Sequence, residues 1–128
     1  MVTIDGIQIT SPDVGIAVMS FTDEHDLATK SELSALLHGL VRQNELVVAD
    51  FSQALFVDSS TLNVVVSAHK LALHRGTGFT VQLEDGGAIQ RTFEISGLLK
   101  AIKWASTREE ALNGARPRTR EESNAAAA

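Results

Sequence analysis

The sequence predicts an α/β fold, and three observations carry this prediction. Segments with strand-like alternation and segments with helical spacing follow one another along most of the chain. Residues 46–49 are all apolar and lie between two acidic residues, as in a strand buried on both faces. Residues 62–73 contain neither Gly nor Pro and exceed the length of an ordinary strand. Such alternation implies a sheet with a substantial parallel part and helices that cover it.

The chain is predicted to begin with two strands. Apolar residues alternate partly over residues 2–9 around Gly6, and a second apolar stretch covers residues 15–21. Between them, Ser, Pro and Asp at residues 11–13 form a turn signal. We therefore expect the two strands to pair as a hairpin.

An amphipathic helix is predicted next. Apolar side chains recur at helical spacing from residue 33 to residue 41, with polar side chains between them. Thr29 and Glu32 have the spacing of a capping box, in which the two side chains satisfy backbone donors of the first turn. The buried strand at residues 46–49 follows this helix.

The run over residues 62–73 is predicted to be a second, largely buried helix. Its three consecutive valines, Val64, Val65 and Val66, are β-branched and would also suit a strand. The length of the run favours a helix, and Gly76 is placed to end it.

The remaining elements are predicted from the same signals. In chain order they are a strand at 79–83, a turn at 84–87, a short helix at 88–96, a strand at 101–105 and a helix at 107–113. Gly97 is placed to end the short helix, and Thr107 and Glu110 form a second capping box. We expect one domain over residues 1–113 and a disordered tail over residues 114–128.

The composition excludes several classes of function. The formal net charge is −5, and residues 1–113 alone carry eight basic and fourteen acidic side chains. A body of that sign repels phosphate backbones and anionic lipid, so we expect neither nucleic acid nor a membrane as a direct partner. The chain has no cysteine, which excludes disulfides and thiolate metal sites. No signal peptide is recognisable at the start, so we expect a cytoplasmic protein.

The densest polar cluster is residues 58–61, Asp-Ser-Ser-Thr, where a buried strand gives way to a buried helix. One interpretation is a helix cap, with a Ser or Thr hydroxyl accepting from first-turn amides and Asp58 favourable to the helix dipole. A cap needs only one of these side chains. The remaining hydroxyls would be well placed for phosphorylation, because the start of a helix tolerates an anion.

An enzyme is not predicted. Ser59 and Ser60 lack the flanking glycines of a nucleophile elbow, and no histidine is tied to them by the pattern. His69 and His74 are five residues apart and so do not share a helix face, which argues against a two-histidine metal site. We expect no cofactor and no metal.

The order of segments resembles the STAS domain, a family named for sulfate transporters and anti-sigma factor antagonists. The resemblance covers about residues 14–112 and rests on an apolar strand that ends in Asp, the Asp-Ser-Ser motif at residues 58–60, and Gly-Leu at residues 97–98. Residues 23–29 are similar to the family segment that precedes the first helix. The resemblance implies a mixed sheet of four or five strands, with about four helices mainly on one face.

The resemblance also implies partner switching. In that scheme the unphosphorylated domain binds an anti-sigma factor, which is a serine kinase, and thereby frees a sigma factor. The kinase phosphorylates the domain and the complex dissociates, after which a serine phosphatase can reset the cycle. Carried over to this chain, Ser59 is the phosphoacceptor, with Ser60 and Thr61 as alternatives. The implied partner surface consists of Asp23, His25, Asp26, Asp58, Ser59, Ser60 and Thr61.

Two departures from the family pattern keep other hypotheses open. Thr61 stands where the family has glycine, and Asp23 and His25 replace a glycine and a leucine. An alternative is therefore a STAS subunit of another assembly, such as a lipid-transport complex or a sensory scaffold, that binds without phosphorylation. A third hypothesis is a small-ligand sensor that uses a cleft beside Asp26 and Asp58.

Overall fold

The structure, a computed structural model, describes residues 2–4, 6–22 and 30–114. Within these residues the chain forms six strands, four α-helices and one short 3-10 helix. In chain order they are β1 (Val2–Ile4), β2 (Ile7–Asp13), β3 (Ile16–Phe21), α1 (Lys30–Gln43), β4 (Leu46–Asp50), α2 (Ser59–Arg75), β5 (Gly78–Gln82), α3 (Ala88–Ile95), the 3-10 helix (Leu98–Lys100), β6 (Lys103–Ala105) and α4 (Arg108–Gly114).

The six strands form one mixed sheet in sequential order. β1, β2 and β3 pair antiparallel, whereas β3, β4, β5 and β6 pair parallel. A helix connects each pair of adjacent parallel strands. When right-handed crossovers all proceed across the sheet in the same direction, they place successive helices on the same face. The predicted α/β class, with a mixed sheet and helices mainly on one face, is confirmed.

The larger core lies between this face of the sheet and helices α1, α2 and α3. Its helical members include Leu37, Val65 and Phe93, which are completely buried. β4 is buried along its whole length, as predicted for residues 46–49. Residues Leu46 and Val48 belong to a second, smaller cluster on the opposite face, where α4 contributes Ala111. α4 is thus the helix that packs on the other side of the sheet.

The prediction for the first hairpin differs from the structure in two details. The segment predicted as one strand over residues 2–9 is divided at Gly6, which has a φ of 79°. The turn lies at Val14 and Gly15 instead of residues 11–13, since Asp13 pairs with Ile16 across it. Gly15 supplies the positive φ of 78° that this tight connection requires.

The helix over the valine run is confirmed, and it is longer than predicted because it begins at Ser59. Val64 and Val65 pack in the core, together with Ala68 and Ala72. Gly76 ends the helix in the left-handed conformation, with a φ of 72°. The Thr29 side of the first capping box and residues 115–128 of the expected tail lie outside the described residues.

Candidate functional site

The predicted cluster at residues 58–61 lies where the β4–α2 loop, residues 51–57, meets helix α2. β4 ends at Asp50 and α2 begins at Ser59. In parallel sheets, the loops that follow the carboxyl ends of the strands gather at one edge, where binding sites are commonly built. The cluster therefore occupies a position at which a partner can reach it.

Asp58 caps helix α2. Its backbone is extended, with φ −93° and ψ 173°, and its Oδ1 accepts a hydrogen bond of 2.8 Å from the N–H of Thr61. The expectation that a Ser or Thr hydroxyl makes the cap is wrong, because the Asp58 carboxylate already has this role. Ser59 and Ser60 are both exposed in the first turn, and their hydroxyls are not needed for the cap.

Thr61 differs from the two serines because its side chain points into the protein. The residue is only 3 % exposed, although it stands where the family pattern has glycine. Its methyl and hydroxyl groups therefore do not project over Ser59 toward an approaching partner. The same burial keeps its hydroxyl away from a kinase while the fold is intact.

Two large apolar side chains project from the β4–α2 loop just before the cluster. Leu55 is 71 % and Phe56 51 % exposed, whereas Val57, next in the chain, is buried. The sequence prediction treated this stretch only as a connector. The four consecutive apolar residues at positions 54–57 were the signal for an exposed apolar surface, since a connector with one buried side chain does not need four apolar residues.

The start of this loop is anchored in the core by Phe51. Its ring stacks on Phe21 at a centroid distance of 4.3 Å and packs against Phe93 at 5.4 Å. Its backbone N–H donates to the carbonyl of Gln82 at 2.9 Å, which continues the pairing beyond β4 and β5. The exposed part of the loop thus lies between a buried aromatic residue and the cap of α2.

The carboxylate of Asp50, at the end of β4, forms a second polar centre beneath the loop. Asp50 is only 5 % exposed. Its Oδ2 lies 2.7 Å from Nη2 of Arg108 and 3.4 Å from Oγ of Ser20. Its Oδ1 accepts a hydrogen bond of 2.8 Å from the N–H of Ser52. The sequence analysis does not identify Arg108. The available signal was Asp50 itself, because a buried carboxylate needs a cation as its partner.

Three residues of the predicted partner surface, Asp23, His25 and Asp26, lie outside the described residues. Their distance from Ser59 therefore stays a prediction. The ligand-sensor hypothesis invoked a cleft beside Asp26 and Asp58. The described part of the chain has an open cavity of about 460 Å³ elsewhere, between β5, β6 and α4, and Asp58 does not line it.

Two of the described histidines, His38 and His69, are partly buried and contact other side chains. Nε2 of His38, on α1, lies 2.9 Å from Oγ of Ser67 on α2. Partial burial and, to a lesser extent, the nearby Arg42 guanidinium lower the pKa of His38 below 6.5. Partial burial also lowers the pKa of His69, whose ring lies 6.5 Å from that of Phe79. Among the described residues, no three His, Asp or Glu side chains are grouped to hold a metal ion.

Within residues 2–4, 6–22 and 30–114, no helix has the length and apolar character needed to cross a bilayer.

Comparisons with known proteins are consistent with this architecture. The model of the STAS domain family matches residues 9–111. No curated protein sequence matches the chain significantly. Among solved structures, the chain is similar to an anti-sigma factor antagonist from Mycobacterium paratuberculosis, with 26 % identity and a TM-score of 0.72, over 90 % of this chain and 98 % of that chain.

Two further similar structures are of one protein in two states. SpoIIAA in its unphosphorylated form is 18 % identical with a TM-score of 0.65, over 84 % of this chain and 94 % of that chain. The Bacillus cell fate determinant SpoIIAA in its phosphorylated form is 18 % identical with a TM-score of 0.60, over 84 % and 97 %. At this level of identity the likeness shows a common fold.

Proposed function

The chain belongs to the STAS domain family, and we propose that it is a cytoplasmic anti-sigma factor antagonist regulated by phosphorylation of Ser59. In its unphosphorylated form it binds an anti-sigma factor that is a serine kinase, and the bound sigma factor is released. Phosphorylation ends this complex and a serine phosphatase restores it. The chain itself has no enzymatic role in this cycle.

One observation carries the proposal: exposed serines at the start of α2 follow an exposed apolar pair within a few residues of the chain. Leu55 and Phe56 supply apolar contact area of the kind that anchors protein interfaces. Ser59 follows them within one helical turn of the Asp58 cap. We expect a partner that binds the apolar pair to extend over Ser59, three residues after Phe56, so that a phosphate there falls inside the interface.

The charges around Ser59 make a phosphate effective. A phosphoserine adds about −1.5 to −2 charges at neutral pH, next to the Asp58 carboxylate on a chain of net charge −5. Repulsion and desolvation need to contribute only about 1.4 kcal/mol to lower affinity tenfold. The start of α2 can accommodate the anion locally, so the interface changes while the fold is retained.

The burial of Thr61 supports Ser59 and Ser60 over Thr61 as acceptor, since a kinase must reach the hydroxyl. The family motif favours Ser59 over Ser60. To test this, the chain is incubated with the anti-sigma kinase of its host and ATP, and the phosphate is mapped by mass spectrometry. Phosphate on Ser59 is expected, and phosphate confined to Ser60 or Thr61 would overturn the assignment.

Binding measurements test the mechanism. We expect Ser59→Ala to retain affinity for the anti-sigma factor and Ser59→Glu to lose about tenfold or more. Asn113→Glu is the matched control, because it adds the same charge to an exposed position on α4, across the sheet. Equal affinities of Ser59→Ala and Ser59→Glu would exclude charge repulsion. Failure to bind any anti-sigma factor of the host, with a transporter or scaffold protein co-purifying instead, would overturn the function.

A further inference from the structure

The guanidinium of Arg108 joins the carboxyl ends of two adjacent strands. Its Nη2 donates to Oδ2 of Asp50 at 2.7 Å, and its Nε donates to Oε1 of Gln82 at 2.9 Å. Asp50 is the last residue of β4 and Gln82 the last residue of β5, and the two are paired in the parallel register. One planar group on α4 therefore spans both strand ends immediately before their loops begin.

The Asp50 carboxylate connects Arg108 to the β4–α2 loop. While Oδ2 faces Arg108, Oδ1 accepts the hydrogen bond from the N–H of Ser52 at 2.8 Å. This is an Asx-type turn, in which an aspartate side chain holds the backbone two residues later. The turn continues with the N–H of Ala54, which donates to the carbonyl of Phe51 at 3.1 Å. Leu55 follows directly, so the turn sets the direction in which the apolar pair projects.

The orientation of the Asp50 carboxylate depends on both of its oxygens being occupied. The side chain is 6 % exposed, so water cannot readily replace a lost partner. Arginine suits this position because its planar group offers donors in fixed, different directions, here toward two strands. A lysine ammonium is a single centre without these fixed directions, so it does not hold Oδ2 of Asp50 and Oε1 of Gln82 in this geometry.

We infer that Arg108 is a positioning residue for the β4–α2 loop, and that it acts through Asp50 and the N–H of Ser52 to keep Leu55 and Phe56 in place. The role of this loop in binding an anti-sigma factor rests on the proposed function. Whether Arg108 keeps the loop ordered, by contrast, can be measured in the isolated chain without a partner. A helix on one face of the sheet thereby controls a segment that leads to the helix on the other face.

The test measures amide hydrogen exchange in the isolated full-length chain, with NMR as the readout for each residue. In Arg108→Lys we expect the amides of Ser52 and Ala54 to exchange about tenfold faster than in the unaltered chain. Amides in the middle of α2, such as that of Val65, should change by less than about twofold. Arg91→Lys, at an exposed position on α3, is the matched control and should leave both groups of amides unchanged.

Two results would overturn the inference. Unchanged exchange at Ser52 in Arg108→Lys would mean that the loop is ordered without Arg108. Equal acceleration at Ser52 and Val65 would mean that the substitution loosens the whole fold and not the loop. Gln82→Met provides a second variant, which leaves the pair with Asp50 intact and should accelerate Ser52 less than Arg108→Lys does. Because no partner is present, a failure of the chain to bind anti-sigma factors would overturn the proposed function and leave this result standing.

Discussion

The carboxylate of Asp58 and the backbone N–H of Thr61 form the hydrogen bond, 2.8 Å long, with which α2 begins. Because of this hydrogen bond, two adjacent residues have different roles: Asp58 is the helix cap and Ser59 is the proposed phosphoacceptor. Asp58 stabilises the helix, while the exposed hydroxyls that follow are not required for its start. A change at Asp58 should therefore be seen in stability, and a change at Ser59 in binding.

We expect Asp58→Ala to lower the free energy of unfolding by about 1 kcal/mol, the usual effect of losing an N-cap side chain. Asp58→Asn should retain most of this stability, since an amide oxygen can accept the same hydrogen bond. Urea denaturation measures both. Glu94→Ala, which removes an exposed carboxylate from α3, is the control and should change stability by less than about 0.5 kcal/mol. Equal stability of Asp58→Ala and the unaltered chain would contradict the role of the cap.

We expect Ser59→Asp to leave the fold intact. A negative charge in the first turn of a helix interacts favourably with the helix dipole, by about 0.3–1 kcal/mol. The urea midpoint should therefore be unchanged or slightly higher. A loss of more than about 1 kcal/mol would show that an anion at this position disrupts the start of α2. The effect that we propose for a phosphate at Ser59 would then have to include a change of fold.

We expect Leu55→Ser to weaken binding to the anti-sigma factor by tenfold or more, or about 1.4 kcal/mol, without loss of stability. The side chain is 71 % exposed, so its removal costs the fold little apolar burial. Leu73→Ser is the matched control, because Leu73 is 66 % exposed and lies near the other end of α2. Calorimetric titration of both variants makes the comparison. Similar affinities of the two variants would place the interface elsewhere.

The periodicity of the sequence predicted most elements because their signals are local. The buried strand β4 and the amphipathic helix α1 were recognised from patterns within a few residues of each other. The first turn was misplaced because Pro12 is a strong turn signal, yet it lies where the pairing of β2 with β3 is irregular. The positive φ of Gly15 determined where the chain reverses.

The candidate site could be predicted only in its local part. The cluster at residues 58–61 was visible as four consecutive polar residues before a buried helix. The contact between Asp50 and Arg108 joins residues 58 positions apart and depends on α4 crossing to the second face of the sheet. No local pattern contains that information. The inward direction of Thr61 likewise depends on which face of α2 packs on the sheet.

We expect Arg108→Ala to lower the free energy of unfolding by about 1–2 kcal/mol. Breaking a fully buried ion pair costs more, but the Arg108 side chain is 41 % exposed and water screens part of the interaction. The loss arises because the Asp50 carboxylate stays buried without its cation. Combining Arg108→Ala with Asp50→Asn should therefore cost less than the sum of the two single changes. Strict additivity in urea denaturation would mean that the pair does not contribute.

We expect the stability of the chain to fall as the pH is lowered through 6.5, in part because of His38 and His69. Burial lowers the pKa of each imidazole in the folded state below its ordinary value of 6.5. Between that value and the lower folded pKa, the unfolded chain therefore binds more protons, and proton binding favours unfolding. Urea denaturation between about pH 7.5 and 5.5 should show a smaller loss of stability in His38→Gln and in His69→Gln than in the unaltered chain. His74→Gln, at an exposed position near the end of α2, is the control for removing a histidine. If the pH dependence were the same in all four proteins, carboxylates and not these imidazoles would account for it.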